Sequence, residues 1–296
     1  MTSTSDRHAA AELPQTLPHT PWIRRLPLRS PTLPPAMHTN AYVLGENELL
    51  AVDPGTPWSD AQRPLFERLH ELGNAGHKLK AILLTHHHPD HMLGAEDLAR
   101  AFDVPLWAHA ETARRLQGSL AQPISRLLSD GEHLPFGPDG FRVLHTPGHA
   151  PGHVCLLDEA GGGLIAGDMV ASQGTIVIAP SDAGDMSAYL ASLRRLLALP
   201  AQRIWPAHGV AVEDGPSLLS YYLSHRLLRE EKILAVLARG PQSIAALVPE
   251  VYDDTPPALF RLAQETLYAH LLSLLAQGRV AQNEKAAIAQ WFVVSR

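Results

Sequence analysis

Runs of apolar residues, some alternating and some continuous, divide the chain into two unlike parts. From residue 41, "AYVLG" and "ELLAVD" flank Gly45, Glu46 and Asn47, the pattern of two strands about a hairpin-like turn. A helix is predicted across 59–72, followed by "LKAILLT" at 79–85 as a buried strand. "MLGAEDLARAF" at 92–102 reads as a helix and "PLWAH" at 105–109 as a strand. Later apolar runs, "FRVLHT", "HVCLLD", "GGLIAGD" and "TIVI", read as short strands separated by turn glycines. Strands and helices in alternation predict a layered α/β or α+β domain that ends near Pro216, with loops at strand ends free to carry chemistry.

Residues 217–296 follow another pattern. Leu259, Leu262, Ala263, Thr266, Leu267, His270, Leu271, Leu274 and Leu275 recur at helical spacing, and Gly278 stops the helix. Beyond it "RVA" and "WFVVS" read as two strands around the polar "QNEKAAIAQ". With helices expected at 226–239 and 243–249, this segment predicts a small winged helix. At the other end, residues 1–36 carry Pro14, Pro18, Pro21, Pro27, Pro31, Pro34 and Pro35 without sustained periodicity. They predict an arm, mobile over its first dozen residues, with Trp22, Ile23 and Leu26 lying along the core.

Composition narrows the partners. At 296 residues, 45% hydrophobic and 18% charged, the chain has a globular make-up and enough length for a large domain and a smaller one. Its net charge of −6 disfavours a broadly cationic nucleic-acid binder. The winged-helix segment, with eight Lys/Arg against seven Asp/Glu, lacks the positive excess that duplex DNA demands. A single cysteine, Cys155, permits no internal disulfide, and no apolar run reaches the ~18 residues of a membrane span. No segment of signal-peptide type is evident, so a cytoplasmic protein without a membrane partner is expected.

The chemistry is concentrated after the strand at 79–85, where His86-x-His88-x-Asp90-His91 puts metal-ligand side chains into one tight loop. His86 and His88 can converge on one point while Asp90 and His91 aim at a neighbouring one, and imidazole with carboxylate suits zinc and other divalent ions. Two adjacent ions need further ligands. His149 in "TPGHAPGH", Asp168 in "IAGD" and His208 in "WPAHG" each stand at a strand-to-loop junction.

These motifs, together with "VDPG" at 52–55 and across residues 37 to about 212, resemble the metallo-β-lactamase-fold hydrolases and, within them, the glyoxalase-II-like branch. The resemblance implies an αββα sandwich with a dinuclear site at one edge. It implies that His86, His88 and His149 hold one ion, that Asp90, His91 and His208 hold the other, and that Asp168 bridges them. The ions would be two divalent cations, zinc foremost, with iron and manganese as alternatives. A metal-bridging hydroxide would be the nucleophile, with Asp90 as the catalytic group that orients it or shuttles its proton. The C-terminal part, including "HRLLREEKILAVL", resembles the β-lactamase-associated winged helix of a single-strand endoribonuclease, an architecture that also occurs in metallo-thioesterases releasing acyl groups from carrier proteins.

Three functions follow as expectations. The first is hydrolysis of a small ester or thioester. The second is cleavage of single-stranded RNA, for which Arg24, Arg25 and Arg29 with Trp22 form the candidate basic cluster. The third is a non-catalytic ligand-binding role. Asp53 is expected beneath the histidines as a carboxylate that fixes an imidazole, and His153 either faces substrate or supports the site. His87 is expected to point away from the ions, His109 and His145 to be core histidines, Cys155 to be inert, and Tyr221 and Tyr222 to pack on the first domain.

Overall fold

The computed structural model describes residues 15–17, 20–201, 203–283 and 289–294. Its first sheet runs in the order β1 (Gln15–Leu17), β2 (Thr20–Arg29), β3 (His38–Gly45), β4 (Glu48–Val52), β5 (Lys78–Leu84), β6 (Leu106–His109) and β7 (Ile124–Leu128). Strands β1 to β4 are antiparallel, and β4 to β7 are parallel. Helices α1 (Ser59–Asn74), α2 (Pro89–Met92), α3 (Ala95–Phe102) and α4 (Ala110–Arg115) join the parallel strands. The second sheet contains β8 (His133–Leu134), β9 (Phe141–His145), β10 (Val154–Asp158), β11 (Gly163–Gly167) and β12 (Arg203–Pro206), and α5 (Met186–Leu197) connects the last two. Its one parallel pair is β11 with β12.

Period-two side-chain alternation builds the layers. In β5, Ala81 and Leu83 point to the space between the sheets, while Ile82 and Leu84 point outward to Leu65, Leu69 and Leu98 of α1 and α3. In β10, Val154 and Leu156 enter the same central layer, and Cys155 and Leu157 meet Leu190 and Leu193 of α5. Both faces of each strand are covered, so these strands read as continuous apolar runs. The result is an αββα sandwich followed by a winged helix.

Strand β2 corrects the expectation of an N-terminal arm. Residues 23–29 pair with β3, and Ile23, Leu26 and Leu28 are fully buried. Its prolines are tolerated because they sit near the strand's start and end, where few ladder bonds are lost. The first dozen residues lie outside the described residues. The candidate RNA-binding cluster is dispersed: Arg24 is buried against the Gly45 carbonyl, Arg25 is buried against Asn40 and the Gly209 carbonyl, and Arg29 pairs with Asp60. "TIVI" at 175–178 forms no strand, although Ile176 and Ile178 are buried. The helix expected over 92–102 is two, broken at Gly94.

The C-terminal part is α6 (Gly215–Leu237), α7 (Ile244–Val251), α8 (Phe260–Ala276), β13 (Val280–Asn283) and β14 (Gln290–Val293). Residues 284–288, expected as part of the wing, lie outside the described residues. Helix α6 begins eleven residues before the expected 226, capped by Asp214, whose carboxylate accepts from Ser217 N at 3.0 Å. Its Leu219 and Tyr222 belong to the core around α5, whereas Ile233 and Leu237 pack with Leu247, Leu267, Leu271 and Trp291. One helix thus serves two cores, which is why its apolar pattern does not announce its true start.

If β2 is integral to the sheet, truncating Ile23 or Leu26 to alanine should lower unfolding free energy by about 2–5 kcal/mol. Urea denaturation measures this, and a change within about 0.5 kcal/mol, as expected for an exposed arm, would contradict the assignment.

Candidate metal centre

The site lies where strands end. Asp53 follows β4, Thr85 and His86 follow β5, Asp168 follows β11 and His208 lies just past β12, so the carboxyl ends of two parallel pairs meet along one edge. Backbone bonds stitch the two sheets there: Val154 N donates to Thr85 O at 3.0 Å and Asn40 N to Ala207 O at 2.8 Å. Two glycines permit the closeness. A Cβ on Gly55 would lie 1.6 Å from the Asp90 carbonyl oxygen, and one on Gly167, whose φ is +48°, would lie 2.5 Å from His153 Nε2.

Among the described residues three groups of side chains could each hold a metal ion, with ligand atoms within 4.8 Å of one another; two are built from these strand ends, and the other, His87, His88 and Asp182, shares His88 with the first of them. His86, His88, His149 and Asp168 form the first, and Asp90, His91 and His208 the second. His88 Nδ1 lies 2.9 Å from His86 Nε2 and 2.8 Å from His149 Nε2. Asp168 reaches both groups: Oδ2 is 3.4 Å from His149 Nε2, and Oδ1 is 3.2 Å from His208 Nε2 and 3.5 Å from His91 Nε2. Asp90 Oδ2 stands 3.5 Å from His208 Nε2 and accepts from Thr39 Oγ1 at 3.3 Å.

The outward nitrogens decide what the inward ones can do. His149 Nδ1 donates to Val177 O at 2.8 Å, His208 Nδ1 to His38 O at 3.1 Å, and His91 Nδ1 to Asp53 Oδ2 at 2.8 Å. His88 Nε2 donates to Asp182 Oδ2 at 2.9 Å. His86 Nδ1 faces Thr85 Oγ1 at 3.0 Å, and that hydroxyl already donates to Asp53 Oδ2 at 2.6 Å, so it accepts from the ring. Each neutral imidazole has one proton, so these assignments turn five bare lone pairs inward.

The His88 lone pair lies under 3 Å from those of both His86 and His149, and such lone pairs repel one another unless a cation lies between them. In the second group, His91 Nε2 and Asp168 Oδ1 are buried without a hydrogen-bond partner. The donor set, five imidazoles and two carboxylates, suits borderline divalent ions. Electrostatics agree with the geometry. Burial, then His91 and His88, holds His86 well below the ordinary histidine range, and burial and His88 push His149 down to about 4. Burial would also depress His91, but Asp168, Asp90 and Asp53 outweigh it and raise that ring well above its usual value. The carboxylates therefore favour a positive charge at the second group, either a proton on His91 Nε2 or a cation bound to its lone pair, while burial keeps the rings of the first group neutral.

Around the groups, Asp53 lies under His91, and its second oxygen takes the Thr85 N–H at 2.8 Å. His153 does not face a substrate. It is fully buried, its Nδ1 donates to Thr146 Oγ1 at 2.8 Å, and its Nε2 accepts the Asp168 N–H at 3.0 Å, so it sets the backbone that carries Asp168. His87 turns away from both groups to Asp182, which Arg115 also grips at 2.8 Å. Hydrogen bonding from His88, then His87, holds the Asp182 carboxyl well below the usual carboxylate range. Asp182 is a site residue that sequence reasoning missed, because "APSDAGD" offers no signal beyond turn-forming residues.

His109 is a helix cap and not a core histidine. Its Nδ1 accepts from Glu111 N at 3.2 Å, and its ring stacks on His145 at 4.0 Å. Burial pushes the Cys155 thiol up to about 12, which leaves no thiolate to act as a nucleophile. Tyr222 is buried with its hydroxyl bonded to Ala171 N and O, whereas Tyr221 is exposed. No helix among the described residues is long and apolar enough to cross a membrane.

Comparison with known proteins fits this geometry. The Beta-lactamase-like protein 2 homolog of Drosophila melanogaster is 30% identical over 84% of this chain and 86% of its own length. An Atrochrysone carboxyl ACP thioesterase of Cryptosporiopsis sp. (strain 8999) is 27% identical over 86% of this chain and 80% of its own. The crystal structure of a metallo-beta-lactamase family protein from Thermus thermophilus superposes with a TM-score of 0.76 at 26% identity, covering 93% of this chain and 99% of that one. Residues 243–291 match the Beta-lactamase associated winged helix domain. Residues 34–208, which contain every residue of both ligand groups, match the Metallo-beta-lactamase superfamily, and the chain belongs to it.

Proposed function

We propose that this chain is a dinuclear metal-dependent hydrolase whose substrate is a small ester or thioester, the thioester being favoured. His86, His88 and His149 would hold one ion and Asp90, His91 and His208 the other. The observation that carries this reading is Asp168, whose two oxygens lie against different groups at 3.4 Å and 3.2 Å, the placement a bridging carboxylate needs. Zinc suits the donor set best. When bound, a pair of such ions supplies Lewis-acid polarisation of a carbonyl and a hydroxide nucleophile near neutral pH.

The chain's own residues do the rest. Asp90, whose carboxylate accepts from Thr39 Oγ1, would orient the attacking water and receive its proton. Asp53, Asp182, the Thr85 hydroxyl and the Val177 and His38 carbonyls would keep each ring's lone pair turned to its ion. A thiolate of pKa about 8.5 departs without needing a proton donor, which favours a thioester substrate. The carrier-protein thioesterase among the relatives points the same way.

Reconstituted protein should contain two divalent ions per chain by elemental analysis and hydrolyse members of an acyl-thioester panel, with activity lost on chelation and restored by zinc. Substituting Asp90→Asn should lower kcat by about 10²- to 10⁴-fold with the fold retained. A metal-saturated chain inert toward the whole panel would sink the thioesterase assignment.

Asp182→Ala should weaken retention of the ion at the His86/His88/His149 group by roughly 10- to 100-fold in chelator competition, with little effect on the second ion. Equal loss of both ions would argue against separate ligand groups.

A further inference from the structure

The segment between β11 and α5 has no strand partner, yet it supplies two of the oxygens that orient the histidines. Val177 O accepts from His149 Nδ1 at 2.8 Å, and Asp182 Oδ2 accepts from His88 Nε2 at 2.9 Å. The residues beside each of these bond to the C-terminal helices. Ile176 O accepts from Arg226 Nη2 of α6, and Ile178 N donates to Thr266 Oγ1 of α8 at 3.3 Å. Ser181 Oγ donates to Glu265 Oε2 of α8 at 2.8 Å.

The order of these contacts follows from backbone geometry. In extended chain, the polar groups of residues i and i+2 point to one side and those of i+1 to the other. Residues 176 and 178 therefore face the C-terminal helices while 177 faces the metal centre. A shift of one residue would present the wrong edge to each. We infer that Arg226, Glu265 and Thr266 are positioning residues for the metal centre: the winged-helix part holds the 176–182 segment in the register that keeps His149 and His88 aimed inward. This inference rests on the dinuclear reading above.

A second line of contact runs from the same arginine. The Arg226 guanidinium lies over the Tyr189 ring at 5.4 Å, and Tyr189 donates its hydroxyl proton to Met169 O at 2.7 Å, one residue past Asp168. Tyr222, one helical turn before Arg226, grips Ala171 N and O at 3.0 Å and 3.1 Å. Both ends of the stretch from Asp168 to Asp182 are thus held from the C-terminal side. Burial of Arg226 and Thr266, 3% and 4% exposed, leaves water little chance to replace either bond.

The test measures Zn²⁺ affinity of the full-length protein by competition with a chromophoric chelator. Thr266→Val removes the acceptor at nearly constant volume, Arg226→Met removes the donor, and Thr266→Ser keeps the hydroxyl. Ser273→Ala serves as control, since Ser273 Oγ accepts from Ser187 Oγ at 2.9 Å across the same helix contact without touching the 176–182 segment. Thr266→Val and Arg226→Met should each raise the apparent Kd of one of the two ions by roughly 10-fold, the low end for losing a histidine's direct partner. Thr266→Ser and Ser273→Ala should stay within about 2-fold of wild type. Unfolding of the metal-free variants, followed in parallel, separates general destabilisation from the loss of aim. Unchanged affinity in both Thr266→Val and Arg226→Met, or equal weakening in Ser273→Ala, overturns the inference. A wild-type chain that takes up no Zn²⁺ overturns the dinuclear reading along with it, whereas wild-type uptake of two ions alongside unaffected variants overturns this inference alone.

Discussion

A neutral imidazole has two nitrogens and one proton, and this site depends on where five such protons sit. Each of His86, His88, His91, His149 and His208 has an oxygen behind it: a threonine hydroxyl, two carboxylates and two backbone carbonyls. With the outer nitrogen donating, the inner one can only accept. Were one of these oxygens missing, that ring could turn its N–H inward and remove a lone pair from the centre. The oxygens come from the loop after β4, the end of β5, the start of β3 and the segment ahead of α5, so no single element suffices. Both sheets must be in register before the donor set exists.

That requirement explains features of the fold that packing alone does not. Asp53 adopts φ of +51°, uncommon for a residue with a side chain, and in that conformation its carboxylate serves His91 and both the Thr85 N–H and hydroxyl. Gly55 and Gly167 sit where any Cβ would collide with the Asp90 backbone or the His153 ring. Asn40 and Tyr42 on β3 reach across to the Pro206 carbonyl, and Arg25 of β2 reaches Gly209, which fixes the loop of His208 from the opposite sheet. Strand β2 therefore contributes to the site through polar bonds as well as to the core through Ile23 and Leu26.

The two side-chain groups were legible because so dense a cluster of imidazole and carboxylate as His86 to His91 has no packing purpose, and because the other members stand at strand-to-loop junctions that apolar runs mark out. His208 could be told from His109 and His145, which also follow apolar runs, only through "PAHG" and the family resemblance that this motif carries. What could not be read has a common physical cause. Val177 and His38 act through carbonyls, which every residue possesses, and Asp182 acts through a side chain in an unremarkable turn. Strand β2 was obscured by its prolines, which ordinarily argue against a strand but are tolerated near its ends. His109 and His145 were placed on apolar strands correctly, yet His109 proved to be a cap, because capping depends on the direction of the chain after the strand.

The two-core character of α6 bears on how such a site stays ordered. Loops that carry chemistry are commonly drawn from the least stable parts of a protein, and the 169–182 stretch has almost no regular structure of its own. Its order must come from whatever accepts its polar groups. Tyr222 and Arg226 act from the first half of α6, and the second half of the same helix is locked into the winged-helix core by Ile233 and Leu237. The 23-residue helix runs unbroken between them, so displacing the small core would also displace the residues that grip the loop. Joined through a flexible linker, the winged helix could move without consequence for the histidines; joined through a shared helix, its packing energy stabilises their geometry.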